Sequence, residues 1–205
     1  MKGLLLKDLY QLWKYCRTFL LIVVVFLGVS FVSPENLFFS LYPAMICGVL
    51  PMTLLSYDER TGWNQYSAAL PCSRVQIVSA KYLLGLMIEV VVLAVSLTAT
   101  AVASGSSGAA GSLLTLGAIL WFVGLVTPSI LMPVVLWLGT EKGRIVYMFM
   151  IALIAGAGAA VMRTKTLESI QSVSSVPFAA MALGATVVYG LSWLLSIRLY
   201  QKKEF

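Results

Sequence analysis

Residues 81–103 read KYLLGLMIEVVVLAVSLTATAVA. Lys81 and Glu89 carry the only charges in the stretch. About 20 predominantly apolar residues are enough to cross a bilayer as a helix. The run is continuous and not alternating, so it does not read as a strand of a membrane barrel. The same pattern places spans at about 18–33, 37–56, 81–103, 113–138, 144–162 and 176–198. The 205 residues are 60% hydrophobic and 11% charged, against roughly 25% charged in a soluble domain. The expected fold class is therefore an all-α integral membrane protein, with six transmembrane helices in a single domain spanning 1–205. Connections are short, marked by Pro34, by a Gly/Ser run at 104–112 and by Arg163-Thr164-Lys165, and no soluble domain fits between spans.

Net charge is +6 and the isoelectric point is near 9.3. The basic residues cluster beside apolar spans, so membrane orientation and anionic lipid account for them better than nucleic acid does. Twelve of the fourteen Lys and Arg residues fall on one side of the expected topology, and only Arg163 and Lys165 on the other. That bias puts both termini in the cytoplasm. The first span reads as retained and not as a signal peptide: Asp8 interrupts the preceding region, and no small-x-small cleavage site follows. The chain has no histidine, which removes the usual metal ligand and the usual general base. Cys16, Cys47 and Cys72 are far apart and form no CxxC, so neither a metal site nor a disulfide framework is expected. No catalytic set is visible.

Two polar segments stand out. In residues 4–16, LLLKDLYQLWKYC, the residues Leu5, Leu6, Leu9, Leu12, Trp13 and Cys16 recur at helical spacing. Lys7, Asp8, Gln11 and Lys14 fall largely on the other side, which predicts an amphipathic helix in the cytoplasmic interface with its basic residues near headgroups. Residues 56–74 read SYDERTGWNQYSAALPCSR. Gly62 and Pro71 bracket a short helix in which Trp63, Tyr66 and Leu70 share a face. Ser73 and Gln76 have capping-box spacing and predict a new helix start. Spacing alone leaves two readings open: a tether with aromatics at headgroup level, or a contact site.

The two segments also carry a resemblance. The chain begins M-K-G-L-L-x-K-D, at Met1-Lys2-Gly3-Leu4-Leu5 and Lys7-Asp8. After the second span come Pro51-Met52, Leu55-Ser56-Tyr57-Asp58-Glu59, Trp63, Tyr66, Leu70-Pro71, Ser73-Arg74, Val78 and Lys81-Tyr82 at fixed spacing. Over roughly the first 85 residues this resembles short six-span bacterial permeases of the ABC-2 type; beyond that only the span pattern matches. The resemblance implies a type-2 ABC exporter permease fold with an interfacial elbow helix at 1–17. It also implies a coupling helix in the 57–80 loop that docks on a separate ATPase through Asp58, Glu59, Arg60, Trp63, Asn64, Tyr66, Ser73 and Arg74. Two permease chains and two ATPase subunits would assemble in a bacterial cytoplasmic membrane. ATP and Mg would sit in the ATPase, and the chain has no GxxxxGK[ST] phosphate loop of its own. The similarity to staphylococcal peptide exporters implies an amphipathic or antimicrobial peptide, or a lipophilic toxin, as substrate.

Three further features bear on function. Glu89 lies roughly 12 Å into the third span, where an ionised carboxylate costs a few kcal/mol unless paired or hydrated. It is a candidate for the substrate path, or for an ion site if the chain were an ion-coupled secondary transporter or channel. Pro128 and Pro133 interrupt the fourth span as hinge candidates, and Thr127 is placed to satisfy a freed carbonyl. The small-residue run 155–160 permits close helix approach, and 164–175 reads as an external loop or short helix.

Overall fold

The computed structural model describes residues 2–32, 37–68, 73–104, 110–139, 142–143, 145–149, 152 and 175–202. The elements are helices: α1 (Lys2–Tyr15), α2 (Arg17–Val32), α3 (Leu37–Arg60), α4 (Trp63–Ala68), α5 (Arg74–Ser104), α6 (Ala110–Leu138) and α7 (Ser175–Lys202). Four contain a stretch long and apolar enough to cross a bilayer: Phe38–Arg60, Arg74–Val102, Leu113–Leu138 and Ala179–Lys202. α1 and α2 meet at a bend of 78°, and taken together as one broken span they bring the count to five. Of the expected span 144–162, only 145–149 and 152 are described. The run 155–160 and nearly all of 164–175 also lie outside the described residues.

Lipid is as apolar as the helices, so close backbone approach and interhelical hydrogen bonds must hold such a bundle together. A Cβ on Gly48 of α3 would come within 2.9 Å of the Thr127 side chain of α6, and one on Gly85 of α5 within 2.8 Å of the Pro51 ring of α3. α6 and α7 form the most extensive helix pair. Ser192 Oγ donates to the Ser129 carbonyl at 2.7 Å, and Trp121 Nε1 donates to Thr186 Oγ1 at 3.1 Å. The first bond has a backbone cause. Ser129 lies four residues before Pro133, which has no N–H to offer that carbonyl. Ser192 supplies the missing donor, and α6 stays one helix through Pro128 and Pro133. Thr127 does not play the part expected of it. Its hydroxyl donates to Val123 O at 2.8 Å, because a helical Thr reaches the carbonyl four residues back. The carbonyl that Pro128 frees belongs to Gly124.

The outward faces of α2, α5 and α7 are apolar. Val24, Val25, Met87, Val91, Leu183, Val187 and Leu191 are among the exposed side chains. Water would penalise such a surface, whereas hydrocarbon does not. α1 departs from the expected amphipathic arrangement. Leu4, Asp8 and Leu12 form its buried stripe, continued by Cys16 just past its end, while Leu6, Leu9, Tyr10 and Trp13 are 51–73% exposed. Lys7 and Asp8 therefore do not point to headgroups; they turn into the protein, where distant charges receive them. Periodicity misled here because α1 is apolar on both flanks, and the buried stripe was decided by tertiary partners.

Candidate functional site

The chain turns sharply after α3. Gly62 takes a left-handed φ of +69°, and its N–H donates to Glu59 O at 3.3 Å. Thr61 Oγ1 donates to Tyr57 O at 2.9 Å. A left-handed residue is a common way to end a helix, and glycine adopts it without steric cost. α4 follows at once as a six-residue helix. α5 then begins with a reciprocal cap. Ser73 Oγ accepts from Gln76 N at 3.2 Å, and Gln76 Oε1 accepts from Ser73 N at 3.3 Å, as the sequence spacing predicts.

Four charged side chains from three helices meet next to α4. Lys7 Nζ of α1 lies 2.7 Å from Asp58 Oδ1 of α3 and 3.2 Å from Asp8 Oδ1. Lys81 Nζ of α5 lies 2.7 Å from Asp8 Oδ1 and 2.6 Å from Asp58 Oδ2. The last contact is an ion pair, and Asp58 Oδ2 accepts no hydrogen bond among the described residues. The side chains of Asp8, Asp58 and Lys81 are 2–3% exposed and that of Lys7 is 26% exposed. Unpaired charges cannot be buried to this degree at tolerable cost. Two cations alternating with two anions form a neutral ring that compensates for lost hydration. Lys7 Nζ also stands 4.1 Å from the centroid of the Trp63 ring, a cation–π contact that joins α4 to the ring of charges.

Most of the expected docking residues surround this point. Asp58 is inside the ring. Trp63 is half-buried under Lys7, with its ring 5.5 Å from that of Tyr66, and Tyr66 is 60% exposed. Ser67 hydrogen-bonds Tyr200 of α7. Arg74 donates to the Tyr200 and Gln201 carbonyls at 3.5 and 2.9 Å, capping the last turn of α7. Glu59 is half-buried and Arg60 exposed at the end of α3. Asn64 lies in α4, with its side chain outside the described residues, as are Leu70, Pro71 and Cys72. α4 is thus held to α1 by Lys7 and to α7 by Ser67, while Tyr66 faces outward.

Glu89, Pro128 and Pro133 are not part of this cluster. Glu89 is 2% exposed, buried among the long helices. Its carboxyl group occupies the space beside Gly124 of α6, where any Cβ would collide with it. Neither carboxyl oxygen has a hydrogen-bond partner among the described residues. Sequence reasoning missed Lys7 and Lys81 as the shared partners of Asp8 and Asp58. A usable signal existed, since each acid inside so apolar a chain demands a counter-ion. What the sequence withheld was which cations, 51 and 73 residues apart, would answer.

No match stands among curated proteins or among solved structures. The family model described as ABC-2 family transporter protein matches residues 3–201. Its span covers the charge ring, α4 and all the long helices. By that match this multi-pass membrane chain belongs to the ABC-2 transporter family, whose members are membrane subunits that work with an ABC ATPase.

Proposed function

We propose that this chain is the permease half of an ATP-driven exporter that moves amphipathic or antimicrobial peptides, or lipophilic toxins, out of a bacterial cell. Two copies of it would assemble with two ATPase subunits in the cytoplasmic membrane, with both termini inside. α4 is the coupling helix on which the ATPase docks, α1 is the elbow helix, and ATP and Mg stay in the partner. Glu89 lines the substrate path. Because it is enclosed, substrate reaches it only when α5 and α6 part, with Pro128 and Pro133 as the flexible points.

The observation that carries this reading is how α4 is held. A docking element must be open to its partner on one side and firmly tied to the spans on the other. α4 offers Tyr66 outward and is tied through Trp63 to the charge ring and through Ser67 to α7. Co-expression with candidate ATPases and affinity purification tests it. Tyr66→Ala, Glu59→Ala and Trp63→Ala should each lower recovery of the ATPase without reducing membrane insertion. Full recovery with all three changed together would remove the docking role. The Glu89 carboxyl, which has no hydrogen-bond partner among the described residues, favours one rival, an ion-coupled transporter. Uptake into inside-out vesicles decides between them: ATP dependence supports the exporter, and dependence on an ion gradient alone supports the rival.

A further inference from the structure

One face of α3 changes character along its length. Ile46, Leu50, Thr53, Tyr57 and Arg60 follow one another at helical spacing, from aliphatic through hydroxyl to cation. These residues line a groove of about 380 Å³, closed on its flanks by Phe19 of α2 and by Tyr147 and Met148. That volume is within the roughly 300–1,000 Å³ typical of ligand sites. From Ile46 to Arg60 the helix rises about 21 Å, at 1.5 Å per residue. One leaflet of a bilayer, half of a total thickness of roughly 40–45 Å, has the same depth. By the charge bias the Arg60 end lies at the cytoplasmic boundary, so the polarity gradient runs the same way as that of an inner-leaflet lipid.

The polar end is chemically available. Arg60 makes no ion pair with a described residue. Asp58 is turned away into the charge ring. Lys14 stands 5.4 Å from the Tyr15 ring, which stacks at 4.8 Å on Tyr57. Arg17 opens α2 two residues before Phe19. Arg60 lines the groove itself and Lys14 approaches its Tyr57 end through the Tyr15 ring, a basic field that attracts a phosphate and repels the ammonium of a zwitterionic headgroup.

We infer that the groove is a binding site for one anionic phospholipid of the cytoplasmic leaflet. The phosphate pairs with Arg60, the glycerol-ester oxygens accept from the Ser56 and Tyr57 hydroxyls, and one acyl chain lies along Leu50 and Ile46. This reading needs no ATPase and no transport activity. The test is retention of phosphatidylglycerol against phosphatidylcholine after purification of the full chain in mild detergent, measured by native mass spectrometry and lipid titration. About one phosphatidylglycerol should remain per chain. Arg60→Gln should weaken retention about five-fold, the factor expected for one interfacial basic residue. Val49→Trp should fill the groove and abolish retention at unchanged helical content. If that variant misfolds, Arg60→Gln decides alone. Lys202→Gln, a basic residue at the far end of α7, should have no effect. Equal retention of the two lipids, or no change in Arg60→Gln, overturns the assignment. A Val49→Cys variant lacking the three native cysteines that crosslinks to itself in membranes also overturns it, since a second copy would then occupy the groove.

Discussion

Removing Lys81 tests the buried ring most severely. In Lys81→Met the carboxylates of Asp8 and Asp58 remain 2–3% exposed with only Lys7 to share, so the cluster carries one uncompensated negative charge. Breaking a buried pair by deleting one partner costs about 3–5 kcal/mol. For a chain of this length that corresponds to a fall of roughly 6–20 °C in the unfolding midpoint. Lys7→Gln also deletes a cation. However, Lys7 is 26% exposed, so water can enter its place and hydrate the carboxylates, and the cost should be roughly half as large. Pairing Lys81→Met with Asp58→Asn restores neutrality, leaving Lys7 beside Asp8 at 3.2 Å. The double variant should be less damaging than the sum of the two single ones by about 1–3 kcal/mol. Thermal unfolding in detergent, followed by intrinsic fluorescence, reads all four proteins. The reasoning fails if Lys81→Met melts within 2 °C of wild type, a shift of about 1 kcal/mol or less. It fails equally if Lys7→Gln is the more damaging, or if the two changes simply add.

Gly124→Ala should cost about 1–3 kcal/mol by driving a Cβ into the Glu89 carboxyl. Glu89→Ala in the same chain should relieve much of that loss, whereas Glu89→Gln, which keeps the volume, should not; melting curves of the three distinguish the cases. Ser192→Ala removes the donor to the carbonyl freed by Pro133 as well as a partner of Tyr82, and should cost about 1–3 kcal/mol. In a Pro133→Ala background the backbone N–H returns, so the same change should cost measurably less. Tyr66→Ala should leave the melting midpoint within about 2 °C of wild type, because the ring is largely exposed. The same variant should still lower ATPase recovery, and a large loss of stability would show that Tyr66 is structural.

Local rules carried the reading where the determinants were local. Apolar runs of about 20 residues gave long helices, Gly62 ended α3, and Ser73 with Gln76 capped α5. The readings failed where the deciding partner was remote. Helical spacing puts Asp8 on a polar outer face with Lys7, Gln11 and Lys14. Its burial depends on Lys81, 73 residues away. The Thr127 hydroxyl goes to Val123 O and not to a carbonyl freed by proline, and the donor that rescues Ser129 lies 63 residues further on. Glu89 reads as an intramembrane acid from the sequence, but the glycine that makes room for its carboxyl, Gly124, belongs to another helix.

The ring's composition has a physical logic tied to its surroundings. Between helices in lipid, an apolar contact is little better than a lipid contact, so it holds a helix without fixing its register. A charge has no comparable alternative in hydrocarbon, and moving one member of the ring strands the others. Three of its four side chains are almost fully enclosed, and they come from α1, α3 and α5. These helices cannot slide past one another at this point without separating buried opposite charges. The cation–π contact of Lys7 then brings α4 into the same rigid junction. If an ATPase docks on α4, its displacement reaches α1, α3 and α5 together, and α7 through Ser67 and Tyr200. An apolar junction in the same place would let the force dissipate as slippage along α3 alone. The two polar segments that looked unrelated in sequence therefore meet at one buried junction, where four of the chain's few charges are better used than on its surface.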